Sequence, residues 1–286
     1  MGKVFKYSKH PDCPKLFYKY KSIASQEELL RLYDILKNGR IYLPNYVQLN
    51  DPLEGSALGN LTNKEYAPVY NKETGNFEME DKAYEAFLHD VLTDQEDWYI
   101  RERKMHYRIL SLSSEPRSHQ LWAHYGLNHL GVCLCFKTNA SFSYARPIKY
   151  IPVKDDIDRA KEIITDTAEN VEDVIIRNWF YKQEDWRYEK EWRIISFSED
   201  LDEIDYLHFT PEELVAVILG EKVPQDMEDI IRQWLPKNTK LLRTLVGQRS
   251  LRIYITPSEF KREDAINAES IPDINMEDLL KEPVKA

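Results

Sequence analysis

Strand-like runs follow one another at irregular intervals along this 286-residue chain, and helical patterns fill only some of the gaps between them. A regular strand–helix–strand repeat would signal a parallel α/β fold; its absence points to α+β, a mixed and largely antiparallel sheet with flanking helices. The strand-like runs are 16–20, 41–43, 107–113, 131–136, 148–151, 192–197, 204–209, 214–219, 240–245 and 251–255. Segment 131–136 is apolar throughout after its glycine and reads as a strand buried on both faces, with 148–151 expected beside it. Helices are expected from Ser25 to Asn38, over 84–105, over 118–125, over 155–180 and over 225–235. The first opens with Ser25 and carries Glu28 three residues later, a capping-box spacing, and it stops at Asn38-Gly39. Residues 60–81 are an excursion of weak periodicity.

A chain of this length can bury a full core without disulfides or a structural metal. Residues 1–257 read as a single domain, and 258–286 as a loose, polar, acidic tail. With 39 basic and 49 acidic residues the net charge is −10, which argues against general nucleic-acid binding. The three cysteines (Cys13, Cys133, Cys135) match no disulfide or metal spacing and read as buried thiols of a reducing cytoplasm. Neither a signal peptide nor a bilayer-length apolar run is visible, so no membrane association is expected. No glycine-rich nucleotide loop is present.

Three polar constellations stand out. In Asn50-Asp51-Pro52 with Glu54, the two Asx side chains and the proline form a turn, and Asp51 and Glu54 are candidate pocket carboxylates. In Trp122, His124 and Tyr125 a stacking surface, an imidazole and a phenol lie close together; His124 is the natural proton carrier near neutral pH. In the segment Trp186 to Arg193, a strand starting near Glu189 would set Glu189, Glu191 and Arg193 on one face, with Glu191 kept ionised by Arg193. For Trp122 taken alone, packing as core is the favoured account; for the charges the alternative is a solvated strand face with cross-strand ion pairs, although Trp186 and Trp192 flank them.

Phe17-Tyr-Lys-Tyr20, Leu49-Asn-Asp-Pro-Leu-Glu-Gly55, Leu112-Ser113, Leu121-Trp-Ala-His-Tyr125, 131–136, Tyr150, Lys182 and Trp186 through Arg193 together resemble a bacterial family called domain of unknown function 2971. Some of its members travel with abortive-infection and phage-defence loci. The order of strands is also similar to that of mono-ADP-ribosyltransferases. That resemblance implies NAD as substrate, with Lys19 or Tyr20 at the first NAD-binding position, Ser113 at the second, and Glu189 and Glu191 as a Glu-x-Glu pair in which Glu191 is catalytic. Tyr20, Trp122 or Tyr125 would stack on the bases; His124 and Arg193 would complete the nucleotide site. It implies an ADP-ribosyltransferase or NAD glycohydrolase in phage defence, with the acceptor open. Two other readings stay open: a non-catalytic sensor of a nucleotide or phage component, and a metal-dependent nuclease or hydrolase using Asp51, Glu54, His124, Glu189 and Glu191.

Overall fold

The structure, a computed structural model, describes residues 2–51, 69–71, 76–78, 105–152, 176, 178–267 and 270–281. Its strands are β1 (Lys3–Val4), β2 (Leu16–Lys21), β3 (Arg40–Tyr42), β4 (Val69–Asn71), β5 (Asn76–Glu78), β6 (Tyr107–Ser113), β7 (Val132–Lys137), β8 (Arg146–Pro147), β9 (Lys149–Ile151), β10 (Tyr181–Gln183), β11 (Glu191–Phe197), β12 (Tyr206–His208), β13 (Leu214–Leu219), β14 (Lys240–Val246) and β15 (Ile253–Pro257). Nine of them form one sheet in the order β1-β11-β6-β2-β7-β13-β14-β15, with β8 following β1 along the outer edge of β11. Every neighbouring pair in it is antiparallel except β13 and β14, which run parallel and are joined through the helix Gln225–Trp234. The fold is therefore α+β with a mixed, mostly antiparallel sheet.

The central strands are apolar on both sides because both faces of the sheet are covered. Val132, Leu134 and Phe136 of β7 join Phe17, Leu110, Leu112, Trp192 and Val217 in one core, closed by Leu32, Ile35 and Leu36 of the helix Gln26–Asn38 and by Ile231. Cys133 and Cys135 face the other way, into a second core with Tyr18, Tyr20, Leu121, Trp122 and Met276. Burial pushes both thiols up, which leaves them inert. Strand 148–151, expected next to β7, instead pairs as β9 with β10, in parallel; β7 has β2 on one side and β13 on the other, so neither edge is open.

The first helix forms as its local signals direct. The Ser25 hydroxyl accepts from Glu28 N at 3.1 Å and the Glu28 carboxylate accepts from Ser25 N at 3.0 Å, a complete capping box. Gly39 ends the helix at φ +60, and a Cβ there would lie 2.6 Å from the Phe209 carbonyl oxygen. Ser25→Ala should cost about 1 kcal/mol, measured as a shift in the urea midpoint at unchanged slope. The expected helix over 84–105 lies outside the described residues except at Met105, as does most of that over 155–180; within the excursion, β4 and β5 pair antiparallel.

Among the described residues after 257, part of the chain expected as a loose tail docks on the sheet. Ile274 N donates to Ile255 O at 2.7 Å, Asp273 takes Arg117 at 2.9 Å, and Met276 is buried in the second core. Its average polarity hides the apolar set Ile274, Met276, Leu279 and Leu280, which packs on the sheet.

Candidate functional site

A cleft opens where the sheet parts. Strands β2 and β7 pair over six residues and β6 and β11 over seven, but β2 and β6 meet only at Tyr18 and Ser113. The cleft is lined by three consecutive residues of each, Tyr18, Lys19 and Tyr20 on β2 and Ser111, Leu112 and Ser113 on β6. Successive strand side chains point to opposite faces, so neither face alone presents all three. The cavity, ≈ 200 Å³, therefore lies in the gap between the strands. The Lys19 ammonium bridges that gap, donating to Ser111 O at 2.8 Å. Pro44, Gln48, Leu49 and Asn50 form a rim, Leu121 and Tyr125 a wall, and Lys182, Glu189, Glu191 and Arg193 complete the lining.

These last four form a buried ion network. Arg193 grips Glu191 with both ends of its fork, Nε to Oε1 at 2.7 Å and Nη2 to Oε2 at 3.1 Å, and spends Nη1 on the Trp179 carbonyl at 2.7 Å. The Lys182 ammonium reaches Glu189 Oε2 at 2.7 Å and Glu191 Oε2 at 3.2 Å, and lies 4.5 Å from the centre of the Trp186 ring. The Tyr125 hydroxyl donates to Glu189 Oε1. Glu191 N donates to the Tyr150 hydroxyl at 2.7 Å.

Glu189 reaches this position differently from the simple strand face expected. It ends the 3-10 turn Glu184–Glu189, Lys190 follows in the left-handed region at φ 45, and the strand begins only at Glu191. The turn is pinned: the Ser113 hydroxyl donates to Glu189 O at 2.6 Å and accepts from Glu115 N at 3.0 Å. The Lys190 side chain thereby points away, to Glu115 at 2.7 Å.

The two glutamates are pushed apart in proton affinity. Burial raises Glu189, the neighbouring Glu191 charge adds to that, and Lys182 and Tyr125 only partly offset it. Burial works against the Glu191 anion too, but Arg193 and Lys182 outweigh it and hold the carboxyl well below the usual carboxylate range. A carboxylate pair with opposed shifts is the arrangement that divides acid and base work between two like groups. Lys19 is pulled down to about 8, chiefly by withdrawal from water.

Of the residues singled out in the sequence, Lys19, Tyr20, Asn50, Ser113, Tyr125, Glu189, Glu191 and Arg193 all line the cleft. Trp122 and His124 do not. Trp122 is fully buried behind the wall, its indole donating to Pro116 O at 3.0 Å. His124 sits on the exposed side of its short helix, 3.2 Å from the Tyr188 hydroxyl. Asp51 is buried outside the lining, and Glu54 lies outside the described residues. Lys182, which the sequence offers only as part of the family resemblance and not as a site residue, lies just past the expected helix 155–180, and the pairing of β10 with β9 carries it under the glutamates.

The stretch from the Leu121 wall to the end of the glutamate strand is also where the chain resembles other proteins. Residues 121–194 match the family model described as protein of unknown function (DUF2971). That span holds Tyr125, Tyr150, Lys182, Glu189, Glu191 and Arg193, the ion network with its two tyrosines, but not β2 or β6. No curated protein and no solved structure matches the chain. Among the described residues no helix is long and apolar enough to cross a membrane.

Proposed function

We propose that the cleft binds NAD and that the chain cleaves the bond between nicotinamide and ribose, passing the ADP-ribosyl group to water or to an acceptor. The observation that carries this reading is the glutamate pair, one held anionic and one with raised proton affinity, lining a tyrosine-walled gap between strands. Breaking the C1′–N bond leaves the electron pair on the ring nitrogen, so nicotinamide departs neutral and positive charge builds on the ribose. The buried Glu191 anion offsets that charge. Glu189 is suited to take the proton that the attacking hydroxyl loses, since a base works best when its affinity is raised toward the working pH. The cellular role we attach to this chemistry is NAD depletion or target modification during phage infection.

Purified protein should consume NAD, and Glu191→Gln should lower turnover by about 100-fold or more, as loss of one preorganised charge-stabilising group does. Absence of wild-type turnover with water, protein and nucleic acid as acceptors sinks the enzymatic reading. One observation favours a non-catalytic alternative: both Glu191 oxygens already hold Arg193 or Lys182. A recognition module would show a rise in melting temperature with NAD and no product. The metal-dependent reading draws less support. Lys182 and Arg193 already occupy the two glutamates that would have to ligate the ion.

A further inference from the structure

We infer that Lys182 is the positioning residue of the cleft: one buried ammonium that holds Glu189 and Glu191 side by side and keeps both available in their separate roles. The inference rests on the reading of the cleft as the reaction site, but its geometry stands independently. Lys182 is buried on β10, between strand β9 and the turn that carries Glu189. Its ammonium contacts both carboxylates and is capped on another side by the Trp186 ring. Arg193 cannot stand in for it, because its guanidinium is committed to Glu191 and to the Trp179 carbonyl.

Several charged and titratable groups face Glu189. Tyr125 comes from the end of the wall helix, Tyr188 from its own turn, Lys19 from β2, Tyr150 from β9, and Glu191 with Arg193 from β11. The Lys182 ammonium touches Glu189 directly. Without it, two buried carboxylates face one another with the Arg193 charge already paired to one of them. The pair then takes up a proton, and that proton goes to Glu189. Lys182 is thus what allows Glu189 to lose its proton while Glu191 stays ionised.

The test follows the carboxyl carbons directly, by NMR of protein labelled at glutamate side chains, with Glu189→Gln supplying the assignment. In Lys182→Met the Glu189 titration should move up by about one pH unit or more, the effect expected for loss of an adjacent opposite charge. Lys182→Arg should keep the wild-type titration. An unmoved titration in Lys182→Met, or an equal shift in Lys182→Arg, overturns the inference. Should Lys182→Met fail to fold at neutral pH, Lys182→Met with Glu189→Gln decides: recovery of the melting temperature supports the role, and no recovery overturns it. NAD turnover by the same proteins is a separate readout. Its acid limb should shift with the carboxyl titration, while absence of turnover in the wild type rejects the NAD reading and leaves the titration result standing.

Discussion

Arg193→Met is expected to destabilise the protein by about 3–5 kcal/mol, the cost of leaving a buried charge without its partner. Arg193 is 1 % exposed and Glu191 4 %, so water cannot take over the lost contacts. The substitution strips two charge-assisted bonds from Glu191 and one from the Trp179 carbonyl. Lys182 remains, but it is shared with Glu189. The effect should depend on pH in a definite direction. In the wild type the folded Glu191 carboxyl lies below its unfolded value, so its contribution is present above the unfolded pKa of roughly 4.3 and is lost as pH falls through the folded one. In the variant, Glu191 loses that support and gains proton affinity. The gap in urea midpoint between wild type and variant should therefore be widest near neutral pH and narrow in acid. Adding Glu191→Gln should recover part of the loss, because the uncompensated charge goes with it. A gap that is small, or flat with pH, contradicts the account of the network as a buried, mutually dependent set.

Trp122→Ala should cost about 3–5 kcal/mol as well, by a different route: cavity formation in a close-packed core. The indole is fully buried, meets Tyr20 edge-on at 5.1 Å and stacks on His129 at 5.6 Å. Its N–H is satisfied within the loop that also receives the Tyr20 hydroxyl at Glu115 O. The variant thus loosens Tyr20, which lines the cleft, as well as the core behind it. Thermal and urea unfolding should register the loss without any ligand present. If stability changes by less than about 1 kcal/mol while NAD binding disappears, the tryptophan is a stacking platform and its packing role is refuted.

The parts of this molecule that were readable in advance depend on short stretches of chain. The capping box of Ser25 and Glu28 and the Gly39 stop lie within one helix, and the continuous apolar run Val132 to Phe136 lies within one strand; such patterns act locally whatever the rest of the chain does. The charged density around Glu189, Glu191 and Arg193 was legible for the same reason. Its geometry was not: the left-handed Lys190 separates the two glutamates, and the turn is held by Ser113, 76 residues away in sequence.

The sequence by itself determined the class of fold, the short helix and strand segments and the candidate glutamates, because hydrophobic period and capping chemistry are properties of neighbouring residues. Tertiary structure decided where β2 and β6 part, that β9 leaves β7 for β10, that Lys182 comes under both carboxylates, and that Ile274 and Met276 dock an otherwise polar terminus. Each of these depends on which distant edge or apolar face is still open when a segment arrives, and no local pattern encodes that.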